Sequence, residues 1–397
     1  LASGKVAQNS YSVGNIKGEG KVGGVIGHNY GTIENCSSSG TVTGGSQTGG
    51  LAGRLSYGTI DTSYATGDVT GTSQTGGLVG YANYGIITSC SSSGNVKGTG
   101  SGTGGLVGCV DYGTITSCSS SANVTGTTHT GGLVGYASYV TIDKSYSNCE
   151  LVKGTNMVGG LVGYNSSGTI SNSYTLSDVI GNDSIGGFVG FNGSNDYDFP
   201  ANISNSYSTG NVKSSGNNIG GFVGNNGASA GGLIGNINNC YSTLDIEFYG
   251  YSNEGSKIEG CHGTKAQDGV EAHDASWFND GKNLTFLGDA FNTGRIPPDI
   301  IGNERPPEKG IQFQIGANSG KDNTLKIETE FSLNGFFADV STREKAEETV
   351  NKIDALLNQM STMRSSYGAT QNRLESVMQS LTTKENNMSS SLSTIVD

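Results

Sequence analysis

The chain has 397 residues, of which 33% are hydrophobic, 14% are charged and 66 are glycine. A formal charge of −12 and a pI near 4.8 argue against a nucleic-acid partner or an anionic membrane surface. No run of 18 apolar residues is present to cross a bilayer, so no membrane insertion is expected.

Glycine packs nothing and loses the most backbone entropy on folding. A chain this rich in it folds by a regular backbone device or stays disordered, and Val, Ile and Thr at fixed spacing favour a regular β architecture. Residue 1 is Leu and no basic-then-apolar leader follows, so the chain reads as a fragment whose export route is not written in it.

Residues 1–246 are an internal repeat. Gly-Gly-apolar-apolar-Gly opens at Gly23, Gly49, Gly76, Gly104, Gly131, Gly159, Gly186 and Gly220, at intervals of 26, 27, 28, 27, 28, 27 and 34 residues. Three apolar columns run through the copies. The first is Val25, Leu51, Leu78, Leu106, Leu133, Leu161, Phe188 and Phe222. The second is Ile33, Ile60, Ile87, Ile115, Ile142, Ile170, Ile203 and Ile237. The third is Ile16, Val42, Val69, Val96, Val124, Leu151, Val179, Val212 and Ile246.

One repeat cannot bury these residues, whereas stacked coils can. The predicted fold is mainly β: a right- or left-handed β-solenoid of about eight coils, each roughly 27 residues, forming a rod roughly 40 Å long. Glycines are expected to serve its corners, where φ is often positive.

Cys36, Cys90, Cys118 and Cys240 follow Ile-x-x-Cys, where other copies carry Ser63, Ser145, Ser173 and Ser206. A position accepting Ser or Cys is a small buried one. Separation alone would also permit a Cys90–Cys118 disulfide, the less favoured alternative. A tyrosine column, Tyr11, Tyr64, Tyr146, Tyr174, Tyr207 and Tyr241, can stack coil on coil or on sugar rings, and the former is the simpler reading. The last two copies carry insertions around Asn192–Pro200 and Asn225–Gly235. Loops on a rigid scaffold are where binding resides. Asn192, Asp196, Tyr197, Asn225 and Asn226 are therefore candidate contacts for a host glycan or another surface ligand, beside the plainer reading of extended corners near a capped end.

Residues 247–309 break the pattern. They hold Trp277 and four prolines, Pro297, Pro298, Pro306 and Pro307, and read as a cap followed by a stiff linker. In 310–340, Ile311–Ile315 and Thr324–Glu328 alternate with period two around a turn-rich segment, which predicts a β-hairpin.

In 341–397 every seventh residue from Ala346 is apolar: Ile353, Met360, Tyr367, Leu374, Leu381, Met388 and Ile395. A long C-terminal α-helix with one apolar stripe is predicted, and such a stripe needs a partner helix. This sequence holds no second long helix, so the partner is expected from another subunit or from sequence beyond this chain.

Catalytic chemistry is not expected. None of the four histidines, His28, His129, His262 and His273, belongs to His-Glu-x-x-His, and no Gly-x-Ser-x-Gly lies between a strand and a helix with a partner histidine. Cys261-His262 and His273-Asp274 match no metal-ligand spacing. No catalytic, cofactor or metal residue is assigned.

Gly77-Leu78-Val79-Gly80 and Gly160-Leu161-Val162-Gly163 resemble the GLUG motif, which recurs in bacterial surface proteins including adhesins. Phe313-Gln314-Ile315-Gly316-Ala317-Asn318, and above all the stretch from Arg364 to Glu375, resemble the C-terminal part of flagellins. Tyr367 stands where leucine is more usual.

The flagellin resemblance implies a structural, extracellular role at the bacterial flagellum or cell surface. Other flagellin subunits would supply the missing helices, and the solenoid would be the outward, variable domain. It makes Ile353, Met360, Arg364, Tyr367, Gln371, Asn372, Arg373, Leu374, Glu375 and Leu381 the expected bundle contacts. The alternative is an adhesin or glycan-binding protein built on the same solenoid.

Overall fold

The computed structural model describes residues 1–273, apart from 195–198, 229–232, 245, 254–255 and 269, and the backbone of Ile311–Gln314 and Thr324–Ile327. Leu1–Thr293 and Gly294–Asp397 are separate compact units. The first is a parallel β-solenoid of about nine turns.

A turn is built from up to five short strands, two of which run together in some turns. In the first they are Val22–Gly23, Ile26–Asn29, Thr32–Glu34, Ser37–Ser38 and Val42–Thr43. Every strand pairs in parallel with its equivalent one turn on, so Ile33, Ile60, Ile87, Ile115 and Ile142 stand in register.

Hydrogen bonding runs between turns even where the chain bends. Leu78 N donates to Leu106 O at 2.8 Å, Leu106 N to Leu133 O at 2.9 Å, and Leu133 N to Leu161 O at 2.9 Å. The backbone groups of the glycine motif are thus satisfied by the neighbouring turn, as buried groups must be.

The apolar columns fill the interior. All eight isoleucines of the second column and Leu51 through Phe222 of the first are fully buried. The first column swells from Leu to Phe toward the C-terminal end, where Phe188, Phe222 and Phe248 stack with centroids 4.6 and 4.8 Å apart. A face-stacked aromatic pair adds roughly 0.5–1.5 kcal/mol beyond its buried area.

Four sequence expectations need correction. The solenoid does not end at 246: Tyr249–Ser252 pairs with Val223–Asn226, Ile258 lies beside Ile237, and His262 beside Tyr241. A ninth turn thus occupies the start of the segment read as a cap. The third column passes through Val152, which pairs with Val124 and Val179, while Leu151 pairs with Asp178. Ile246 lies in no strand, so that sheet ends at Val212–Ser214.

Glycine's part also differs. Among the described residues, twenty non-glycine residues have φ between 47° and 59°, against three glycines with positive φ. The motif glycines are required because neighbouring turns approach too closely for a side chain. A Cβ on Gly76 would collide with the Val79 carbonyl oxygen and lie 2.6 Å from the Gly108 nitrogen.

The small Ser/Cys column is both packed and hydrogen-bonded. Cys118 Sγ donates to Thr116 O at 3.2 Å and accepts Cys90 N at 3.4 Å. Ser145 Oγ likewise donates to Asp143 O at 2.9 Å and accepts Cys118 N at 3.1 Å. All seven cysteines are free. Burial and the neighbouring Cys118 push the Cys90 thiol well up, so it stays protonated and able to donate.

In the second unit Ile311–Gln314 and Thr324–Ile327 pair antiparallel, with Ile311 opposite Ile327 and Phe313 opposite Leu325. The predicted helix over 341–397 lies outside the described residues.

The Ser/Cys column yields a test. Cys118→Ser keeps donor and acceptor and should change stability by less than about 1 kcal/mol. Cys118→Val fills similar space but strands the Cys90 amide, and should cost about 1–3 kcal/mol. Chemical denaturation of both variants checks this, and equal stability would show that only volume matters there.

Candidate functional site

One corner of the solenoid carries a row of outward tyrosines. Tyr57, Tyr84, Tyr112 and Tyr139 occupy equivalent corner positions in four turns, all in left-handed backbone. Their rings stack in parallel with centroids 5.0, 4.9 and 4.7 Å apart.

This ladder was not among the tyrosines singled out from the sequence. The recurring Tyr-Gly at 57–58, 84–85 and 112–113 was the available signal, and it reads superficially as a turn. Tyr57, at the N-terminal end of the stack, is 70% exposed. At the other end Phe199, 56% exposed, sets its edge on Tyr139 at 6.0 Å. Because the rings cover one another's faces, the row presents mainly edges and hydroxyls to solvent.

Phe199 belongs to the first insertion, and the two insertions meet. Gly193 bridges Ile234 antiparallel, and Ser194 N donates to Leu233 O at 3.0 Å.

The candidate ligand contacts divide sharply. Asn192 and Asn226 lie inside the solenoid, fully buried. Asn165 Nδ2 donates to Asn192 Oδ1 at 2.8 Å, Asn192 Nδ2 to Asn226 Oδ1 at 2.9 Å, and Asn226 Nδ2 to Gly235 O at 3.0 Å. Their amides hold the interior of the last turns together and do not face the insertion loops' solvent side. Asn225 is half-buried on the outer face, beside Phe191. Asp196 and Tyr197 lie outside the described residues.

The tyrosine column named from the sequence divides as well. Tyr146, Tyr174, Tyr207 and Tyr241 stack at 4.9, 5.0 and 4.8 Å, the last two fully buried. Tyr11 and Tyr64 face Ser37, so no ring stacks there.

A second outer cluster surrounds His129. Its ring lies 5.3 Å from Tyr136 and 5.4 Å from Tyr164, Tyr164 sets its edge to Phe191, and His129 Nδ1 is 2.8 Å from Ser101 Oγ. Farther toward the N-terminus Arg54 lies over the Tyr81 ring at 5.1 Å, and Tyr81 donates to Asp111 at 2.7 Å. Burial and that carboxylate push the Tyr81 phenol well up, so it stays a donor.

The turns of this stacked parallel solenoid are spaced by Gly-Gly-apolar-apolar-Gly. Six segments match the GLUG motif: residues 18–43, 44–70, 71–97, 99–125, 154–180 and 181–213. Residues 350–397 match the bacterial flagellin C-terminal helical region. The chain therefore joins a GLUG-repeat domain to a flagellin-type C-terminal segment.

Among curated proteins, it is similar to "Putative flagellin YvzB" of Bacillus subtilis (strain 168), with 32% identity over 92 residues. That stretch is 22% of this chain and 58% of the relative, so the chain spans little more than half the length of that protein. No solved structure matches the chain. Ile353, Met360, Arg364, Tyr367, Gln371, Asn372, Arg373, Leu374, Glu375 and Leu381 fall within the matched flagellin segment and outside the described residues.

Burial pushes the His129 imidazole below its ordinary value of 6.5. Between the folded value and 6.5 the unfolded chain holds more protons. Stability is therefore complete above 6.5 and declines as pH falls through that window. The melting temperature should drop on acidification from about pH 7.5 to about pH 5. His129→Gln should drop less, since glutamine already serves this corner as Gln47 and Gln74 with φ of 59° and 51°. Parallel thermal melts of both proteins measure the difference; identical slopes would remove His129 as the source.

Proposed function

We propose that this chain is a structural subunit of a bacterial flagellar filament, with the GLUG solenoid as the domain that projects from the filament surface. The match of residues 350–397 to the flagellin C-terminal helical region carries this reading. In that segment the column Ile353, Met360, Tyr367, Leu374 and Leu381 gives a helix one apolar stripe, which is stable only against a partner stripe.

The partner is a flagellin-type helix of the same or a neighbouring subunit. Arg364, Gln371 and Glu375 set the register across that seam. The role is mechanical and extracellular, and no catalytic step is assigned.

The solenoid suits a projecting domain because its turns satisfy their own backbone between Val22 and Ser252. Its surface is acidic and polar, with the exposed aromatic row of Tyr57, Tyr84 and Tyr112 as its principal apolar feature. The adhesin reading finds less support, since sugar recognition by ring stacking needs open faces and within this row only Tyr57 keeps one.

Co-expression with an N-terminal flagellin helix segment tests the proposal. The full chain should co-purify with that segment. Leu374→Asp should weaken the complex by at least tenfold, as expected when a charge costing about 2 kcal/mol or more enters an apolar seam. The solenoid's melting temperature should not change. A wild-type chain that captures no helix segment would remove the filament assignment.

A further inference from the structure

We propose that His262, Glu271 and His273 form a binding site for a zinc-type divalent metal ion that clamps the C-terminal edge of the solenoid. His262 lies on the strand Cys261–Gly263 and Glu271 on Val270–Ala272, and these strands pair in parallel with His262 directly opposite Glu271. Strand alternation sorts the side chains: Cys261 and Val270 turn into the core and are buried, while His262 and Glu271 share the outer face.

His273 follows at once. Its backbone N donates to Gly263 O at 2.8 Å, which continues the parallel ladder one residue further, and two residues on from Glu271 its side chain falls on the same outer face as His262.

The ligand atoms converge. His262 Nδ1 and His273 Nε2 are 3.0 Å apart, and Glu271 Oε2 is 3.7 Å from the first and 3.6 Å from the second. The point equidistant from the corners of such a triangle is about 2.0 Å from each, the bonding distance of zinc to imidazole nitrogen and carboxylate oxygen. An ion slightly out of that plane has tetrahedral geometry with its fourth position open to water.

The donor set, two imidazoles and one carboxylate, suits zinc and its neighbours in the transition series better than calcium or magnesium. Both rings are sheltered, with side chains 12% and 19% exposed, while Glu271 is 74% exposed, so the site is anchored on one side and open on the other. Cys261 takes no part, because its thiol points inward to Ile237 O and Glu259 O.

The location gives the ion a structural task. The two strands are joined by only residues 264–269, far shorter than the usual connection between parallel strands. They also form the last pairing of the long sheet. An ion held by both strands and by the residue after them ties that edge shut. Binding to the folded state alone stabilises it by mass action.

Full-length protein stripped with EDTA and then reloaded with zinc tests the site. Elemental analysis should find one zinc per chain, and zinc should raise the melting temperature. Cobalt(II) should give the visible absorption of a tetrahedral site without a thiolate charge-transfer band.

Glu271→Gln, a surface change, and His273→Gln should each weaken zinc binding by at least about tenfold, since loss of a mere outer-sphere partner already costs roughly 10–100-fold. The melting temperature of the metal-free protein should stay where it was. Absence of stoichiometric zinc in the wild-type protein, undiminished binding in both variants, or a thiolate band would each overturn the assignment.

Discussion

The constraint on which the solenoid rests is that every turn must repeat its predecessor in register. Leu78, Leu106 and Leu133 each donate their amide to the equivalent residue one turn on, at 2.8–2.9 Å. This ladder continues through the bends. Any residue that alters the path of one turn must therefore be matched in the next, or a line of buried amides loses its partners at about 1–3 kcal/mol each. The roughly 27-residue period, the glycine pairs and the apolar columns all follow from this requirement. Glycine is needed less for its φ than for its missing Cβ: Gly76 meets the Val79 carbonyl and the Gly108 amide, leaving no room for a methyl group.

The same stacking governs the buried polar groups. Serine and cysteine interchange along the column through Cys90, Cys118 and Ser145 because each side chain donates to its own turn and accepts from the preceding one. Asn165 and Asn192 form a different ladder, each donating its amide to the equivalent asparagine one turn on. Such ladders place identical groups one strand spacing apart, where one side chain can serve as the next one's partner.

What could be read from the sequence was whatever contributes one residue per turn. The isoleucine column was visible as far as Ile237 because its residue type does not change, and Ile258 continues it in the turn that was missed. The third column slipped at Leu151 because Val152 stands next to it and both are apolar, and only pairing with Val124 and Val179 decides between them. The ninth turn escaped because Phe248-Tyr249-Gly250 lacks the leading glycine pair, although Phe248 continues the Phe188–Phe222 stack. Asn192 and Asn226 looked like loop residues because polarity in a sequence signals solvent, whereas here a neighbouring amide replaces water. The cluster of His262, Glu271 and His273 was invisible for a different reason: His262 and Glu271 are nine positions apart and meet only through a short parallel pairing that no spacing rule anticipates.

The two ends of the exposed tyrosine row show how a repeat acquires distinct places without leaving its lattice. Tyr57 has an open face because the preceding turn is one residue shorter at this corner, with Asn29-Tyr30-Gly31 set against Leu55-Ser56-Tyr57-Gly58. Tyr139 ends the row because Ser167 takes the next corner in the same left-handed conformation and bonds Ser194 of the first insertion. Between them the rings are equivalent and their faces spent on one another. The row's distinct places are therefore its ends: a deleted residue at one, an insertion carrying Phe199 at the other. A solenoid conserves its path by repetition, and whatever distinguishes one part of its surface from another has to come from the few residues that break it.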